Sequence, residues 1–489
     1  MLFNSYVFLC VFLPVVLLVF WLLGRSSRRE PAIAWLVAAS LVFYGWWNPV
    51  YLGLIVASVT ANFAFGRALV ATSGRRRSVV LTLGVCANVG TLAYFKYANF
   101  FVDSLNSAIG SNLQLETIVL PLAISFFTFQ QIAYLVDASR GETEEHHFLH
   151  YALFVTFFPQ FIAGPIVHHK EMLPQFTRRR RLTLSARDLS IGATIFVLGL
   201  FKKVVIADGV AEYVPPAFDA AYAGHALTMA AAWAGALAYT FQLYFDFSGY
   251  SDMAIGLARM FGIRLPLNFD APYRATSIID FWRSWHMTLS RFLRDYVYIP
   301  LGGNRRGTQR RYVNVMVTML LGGLWHGAGW NFVLWGGLHG VLLVVNHLWR
   351  AAVPERIRSG RLADALGWAL TFVLVAVAWV PFRAETAAST LNVWRGMAGI
   401  SSHGGTVALG STTPVLWLVG LLAGCLLLPT TQDFVGRYRP ALGFRPRPAG
   451  TTLPVRWRPT PAWAALTLGF FLVAFAMLQR PSEFLYFQF

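Results

Sequence analysis

Charge is what this chain has least of. Asp, Glu, Lys and Arg together make up only 13% of its 489 residues, about half of the ~25% usual in soluble domains. A soluble protein of this length needs charge to cover its surface, so the shortage excludes an ordinary soluble fold. The 56% hydrophobic content excludes disorder, which requires low hydrophobicity. Cysteine is scarce as well. Cys10, Cys86 and Cys425 are far apart, each in an apolar stretch, which excludes a disulfide framework and a CxxC redox or zinc site. Acidic residues number 22 against 40 basic ones, for a formal net charge of +18. In a soluble protein such an excess, nearly all of it arginine, would suggest nucleic acid. In a membrane protein it has a simpler cause, namely cytoplasmic loops rich in arginine.

What the chain does have is long apolar runs. A helix needs about 20 apolar residues to cross a bilayer. Runs of that kind predict spans near 6–23, 31–47, 50–69, 78–95, 117–137, 190–207, 227–245, 312–330, 331–349, 364–382, 412–429 and 461–479. The first lacks a basic leader and a small-residue cleavage site, so it is expected to be a span and not a signal peptide. Arg25, Arg28 and Arg29 follow it, which predicts both termini outside. Every basic residue except Lys96, Lys202, Lys203, Arg383, Arg395 and Arg480 then falls inside, as the positive-inside rule requires. The expected fold is an all-α polytopic membrane protein with about 11–12 transmembrane helices, a single domain over 1–489 with its core at 120–349.

Two stretches resist this pattern. Residues 148–167 are apolar, but both flanks are expected inside. Pro159, Gly164 and Pro165 interrupt them, so a re-entrant or surface segment is predicted. Residues 246–311 carry Phe269, Tyr273, Phe281, Trp282, Trp285, Phe292, Tyr296 and Tyr298. That density of aromatics predicts amphipathic helices packed at, or dipping into, the inner interface, because irregular backbone at membrane depth survives only where protein or a water-filled cavity surrounds it.

Polar groups inside apolar segments are expensive and therefore informative. Gln242, Asp246 and Asp252 are three, with a Phe-Ser-Gly-Tyr break expected between the two aspartates. They either cap a helix end and pair with nearby arginines or line a polar tunnel. His286, Ser290, Leu293 and Val297 recur at about helical spacing, with Arg283, Arg294 and Asp295 supplying charge. This segment either anchors to anionic lipid or receives an anionic cytoplasmic donor such as a nucleotide thioester. His326 lies in an apolar span among Gly322, Gly323, Gly327 and Gly329, flanked by Trp325 and Trp330. It is either a packing residue or a general base. His339 is a second candidate. No GxSxG, HxxxxD, HExxH or Walker lysine is present. His146, His147, His150, His168 and His169 stand near Glu142, Glu144 and Glu145 without tetrahedral ligand spacing, so no metal is expected.

Longer strings add a resemblance. YFDFSGYSDMAIG at 244–256, FWRSWHMTLSRFLRDYVYIPLGGNRRG at 281–307 and TMLLGGLWHGAGWNFVLWGGLHG at 318–340 look like the core of the membrane-bound O-acyltransferase superfamily, alginate O-acetyltransferase-like bacterial branch. TLAYFKYANFF at 91–101, LPLAISFFTFQQIAYLVD at 120–137, FPQFIAGPI at 158–166, FKKVVIAD at 201–208 and the ending FLYFQF at 484–489 match its remaining parts. The resemblance implies a helical bundle around a membrane-crossing tunnel in a bacterial cytoplasmic (inner) membrane. It implies catalytic roles for His326 and His286. The donor- or tunnel-lining candidates are Trp325, Asn331, Trp282, Arg294, Asp295, Tyr296, Gln242, Asp246 and Asp252. No cofactor is expected to be bound permanently; acetyl-CoA or an acyl-carrier thioester is the expected donor. The expected partners are an extracytoplasmic serine-esterase-like transferase, a polysaccharide acceptor and the lipid bilayer, with no nucleic acid. The competing class, a transporter of a polysaccharide or lipid-linked sugar, predicts inverted repeats, and none is visible.

Overall fold

The computed structural model describes residues 1–26, 28–143, 147–177, 184–400, 410–447 and 452–480. Among these, the regular structure is helical apart from isolated bridge residues, two of which, Pro266 and Leu442, form a parallel bridge. Five helices are long and apolar enough to cross a membrane: Tyr51–Ala71, Gly74–Ile109, Ala186–Ala211, Trp330–Ala352 and Arg361–Arg383. Shorter apolar helices run over Phe8–Gly24, Glu30–Gly45, Thr413–Leu427 and Pro461–Ala476. Each of these nine falls on an expected span. The protein is an all-α polytopic membrane protein. The other three expected spans overlap the helices Ile124–Ser139, Met229–Met260 and Thr308–His326 with shifted bounds. The first two are buried along most of their length. A helix surrounded by protein can hold polar side chains that a lipid-facing one cannot, and Gln130, Gln131 and Asp137 are buried on the first of them. The ending FLYFQF lies outside the described residues.

Met229–Met260 corrects one expectation. The helix runs unbroken through Phe247-Ser248-Gly249-Tyr250, where a break was predicted. Gly249 and Gly256 serve close packing instead. A Cβ on Gly249 would stand 2.8 Å from the carbonyl oxygen of Gly199, and one on Gly256 would stand 2.6 Å from that of Gly192. The reverse additions would come within 2.6 Å and 2.5 Å of the Gly249 and Gly256 oxygens. Two glycines spaced seven apart on each helix thus bring two backbones together, the device typical of packing between membrane helices. As a result, 246–260 belongs to the buried centre and not to an inner loop.

Residues 148–167 fold as two short helices, Phe148–Thr156 and Phe158–Phe161. From His150 to Val167 every residue is buried, so the segment does not lie on the surface. The turns find side-chain partners for their backbone, as buried irregular chain must. Phe158 N–H donates to Ser40 Oγ at 3.0 Å and Ile166 N–H to Thr288 Oγ1 at 3.0 Å. The aromatic stretch that follows Met260 also folds inward. It forms the helices Ile278–Ser284 and Met287–Leu293, then a π-helical turn over Arg294–Tyr298. Phe269, Tyr273, Phe281, Trp285 and Phe292 are buried.

Thr308–His326 and Trp330–Ala352 form an antiparallel pair joined at Gly327–Gly329. Glycines again set the distance. A Cβ on Gly323 would meet the Phe332 oxygen at 2.2 Å, and one on Gly336 would meet the Met319 oxygen at 2.3 Å.

Candidate active site

His326 is the last residue of its helix, which ends because Gly327 turns extended (φ −156°, ψ 149°). The side chain is buried. Aromatic rings meet the imidazole edge-on: Trp325 at 4.9 Å, Trp335 at 5.1 Å and Phe382 at 5.2 Å between centroids.

His286 is held more tightly. It precedes the Met287–Leu293 helix in the left-handed region (φ 41°, ψ 52°), a conformation that costs a non-glycine residue about 1–2 kcal/mol. Such strain persists where the surroundings over-determine it, often at functional sites. Asn268 supplies much of that determination. Its backbone oxygen accepts from Met287 N–H at 2.9 Å. Its Oδ1 accepts from Thr288 N–H at 3.3 Å and Thr288 Oγ1 at 2.8 Å, and its Nδ2 donates to Ser251 Oγ at 3.1 Å. A backbone N–H can only donate, so Oδ1 is the acceptor atom of this amide. His286 Nδ1 lies 3.1 Å from the same Oδ1, so in the neutral ring the proton is on Nδ1. Nε2 then carries the lone pair, and it is buried with no hydrogen-bond partner among the described residues.

The two imidazoles come together, with centroids 6.4 Å apart. Trp325 lies 6.1 Å from the His286 ring, and Phe247 packs edge-on to it at 4.7 Å. The setting is a buried cluster of aromatic rings around both imidazoles, in which Nε2 of His286 is placed to accept. Such a site favours proton transfer and acyl chemistry that water would otherwise intercept.

The remaining candidates separate into groups. Trp325 is in the cluster. Trp282 donates from Nε1 to His339 Nδ1 at 3.3 Å, and His339 packs against Trp335 at 4.9 Å, so this pair supports the cluster from behind. Asn331 ties the start of its helix to the Ala384 oxygen at 2.6 Å. Gln242 is buried on Met229–Met260. Asp246 pairs with Lys203 at 2.6 Å, which also meets Asp208 at 2.7 Å; Asp252 pairs with Lys202 at 2.7 Å and accepts from Gln432 at 2.9 Å. The expected arginine partners are therefore lysines, both on the π-helical turn Lys202–Ala207. Arg294 and Asp295 pair with each other at 2.7 Å near the surface. Tyr296 donates to Asp137 Oδ2 at 2.7 Å.

That Asp137 network absorbs two histidines of the His-rich stretch. His168 Nε2 is 2.6 Å and His169 Nδ1 3.4 Å from Asp137 Oδ2, and Arg140 approaches the other oxygen at 3.7 Å. The three are close enough to hold a metal ion, yet the carboxylate is already served by hydrogen bonds and a cation. Burial pushes His169 down to about 4, so its ring is neutral. His147 stacks on His150 at 4.4 Å; His146, Glu144 and Glu145 lie outside the described residues.

Beside the site is a cavity of about 500 Å³ whose lining includes Arg283, Arg291, Arg294, Trp282, Met287 and Thr288. Met287 and Thr288 directly follow His286. Asn268, Trp335 and Phe382 went unnoticed in the sequence. Nothing in their spacing marks Asn268 or Phe382, which come from other segments, whereas Trp335 stands on the helix that follows His326.

The chain is also similar to known proteins. The model of the MBOAT, membrane-bound O-acyltransferase family, matches residues 78–380. A peptidoglycan O-acetyltransferase of Helicobacter pylori is 45% identical over 429 residues, covering 82% of this chain and 80% of its own. The "Probable alginate O-acetylase AlgI" of Pseudomonas putida is 41% identical over 512 residues, covering all of both chains. A teichoic acid D-alanyltransferase of Streptococcus thermophilus is 28% identical over 282 residues, covering 53% of this chain and 68% of its own.

Proposed function

The chain belongs to the membrane-bound O-acyltransferase family and is an O-acyltransferase; we propose that it passes an acetyl group from a cytoplasmic thioester, acetyl-CoA or an acyl-carrier thioester, across the membrane towards hydroxyls of an extracytoplasmic polysaccharide. It does so directly or through an extracytoplasmic serine-esterase-like partner. The membrane is the cytoplasmic membrane of a bacterium, with both termini outside. Acetyl as the group is supported by the relatives named as O-acetyltransferases and O-acetylases.

The observation that carries this reading is the pair of buried imidazoles 6.4 Å apart beside an arginine-lined cavity. In the lining Arg291 is held by Glu171, and Arg294 by Asp295; released from these carboxylates, their guanidinium forks suit the phosphates of a nucleotide thioester, and the lining includes the two residues that follow His286. In the transfer the acceptor oxygen attacks the thioester carbonyl carbon. A C–O bond forms, the C–S bond breaks, and the hydroxyl proton passes by way of His326 to the departing thiolate. His286, with its lone pair on Nε2, orients the donor by accepting a hydrogen bond. That lone pair leaves the neutral ring no proton there for an oxyanion.

Inside-out membrane vesicles of the source bacterium, given acetyl-labelled acetyl-CoA, test the proposal. Label should accumulate in luminal polymer as base-labile ester and vanish with His326→Ala. Full labelling by that variant would refute the assignment of the base.

A further inference from the structure

Lys96 lies in Gly74–Ile109, one of the helices apolar enough to cross the membrane. An ammonium there is costly unless something repays it, and among the described residues no carboxylate pairs with it. Its Nζ instead donates to two backbone carbonyls, Trp325 O at 2.5 Å and His326 O at 3.1 Å. The next residue, Tyr97, donates its hydroxyl to Leu324 O at 2.8 Å. Both donors stand on the π-helical turn Ala93–Tyr97, a widened turn of the kind found at functional sites.

The three carbonyls are consecutive and belong to the end of the Thr308–His326 helix. The last carbonyls of any helix lack partners within it, and where the chain is buried, as at Trp325 and His326, they must find them in the protein. A cation at this point satisfies two of them and complements the negative end of the helix dipole. One of the two is the carbonyl of His326 itself, so the ammonium fixes the backbone from which the imidazole projects.

We infer that Lys96 is a positioning residue for His326, one whose charge holds the broken helix end in the geometry that acyl transfer needs. The inference rests on the proposed role of His326. A misplacement of about 1 Å at a reacting group can cost on the order of 100-fold in rate. Lys96→Met should therefore lower kcat by roughly 10–100-fold while KM for acetyl-CoA stays within about twofold. Lys96→Arg should restore most of the rate, because a guanidinium keeps the charge and the donors. Tyr97→Phe, which frees a carbonyl two residues before His326, should cost less than about threefold.

The vesicle assay separates the outcomes. Wild-type turnover in Lys96→Met overturns the inference. A Lys96→Arg variant as impaired as Lys96→Met also does, since it assigns the amine to the chemistry itself. Equal losses in Tyr97→Phe and Lys96→Met reduce Lys96 to a general anchor and overturn it too. If Lys96→Met fails to accumulate in the membrane, Lys96→Gln replaces it: Gln keeps donors without charge, and Lys96→Arg should exceed it by at least about fivefold, equality overturning the inference. His326→Ala is run alongside. If it is inactive while Lys96→Met is normal, only the Lys96 inference falls; if it is fully active, the reading of the site itself falls.

Discussion

The imidazoles of His286 and His326, forty positions apart in the chain, lie 6.4 Å from one another between centroids. They reach that distance by different means. His326 is carried on the end of a long helix whose termination Gly327 imposes, whereas His286 sits at a strained turn pinned by Asn268. One ring is thus placed by helix geometry and the other by a hydrogen-bonded network that also selects its tautomer.

Asn268 should therefore be as sensitive to substitution as the histidine it holds. Asn268→Leu removes the acceptor for His286 Nδ1–H and leaves Thr288 N–H unsatisfied, a loss of about 1–3 kcal/mol in stability. Turnover in the vesicle assay should fall by at least about tenfold. Asn268→Asp keeps an acceptor at the same place and should retain more activity than Asn268→Leu. If Asn268→Leu turned over at the wild-type rate, the tautomer lock would have no catalytic meaning.

The positions of the apolar helices were readable from composition, because lipid-facing segments declare themselves over about 20 residues. His286 and His326 were readable as polar residues in apolar or aromatic strings. Asn268, Phe382 and Lys96 were not, since their roles depend on contacts between segments distant in the chain. The glycines of Met229–Met260 misled in a specific way. A Gly in an apolar helix signals either a break or a close neighbour, and Gly249 proved to be the second, with its partner Gly199 fifty residues earlier.

That distinction is testable. Were Gly249 a hinge, Gly249→Ala would change turnover first. As a packing glycine it should instead lose about 1–3 kcal/mol of stability through overpacking, read as a lower melting temperature in detergent, with kcat of the surviving protein little changed. A large kcat effect at unaltered stability would contradict the packing role.

Lys203 lies between Asp246 and Asp208 in the buried centre. Breaking a buried pair from one side leaves uncompensated charge, at about 3–5 kcal/mol. Lys203→Met should thus nearly abolish accumulation of folded protein. Combining it with Asp246→Asn and Asp208→Asn should recover much of the loss, as measured by membrane yield and thermal melting. A triple variant no better than Lys203→Met would mean that the ion cluster is not what the lysine supports.

His169 makes stability depend on pH in a defined window. Burial holds the folded ring at about 4, while an unfolded histidine titrates near 6.5. Between those values the unfolded chain binds a proton that the folded one does not, so stability falls as pH drops below about 6.5 and is unaffected by this group above it. At pH 5 the loss amounts to about 2 kcal/mol. Lys170 and His168 oppose protonation of the ring and Asp137 favours it, and burial outweighs them all. His169→Gln should remove about that much of the difference in stability between pH 7 and pH 5, measured by melting of the purified protein in detergent at both values. Equal differences for the variant and the wild type would show that the ring is not buried neutral.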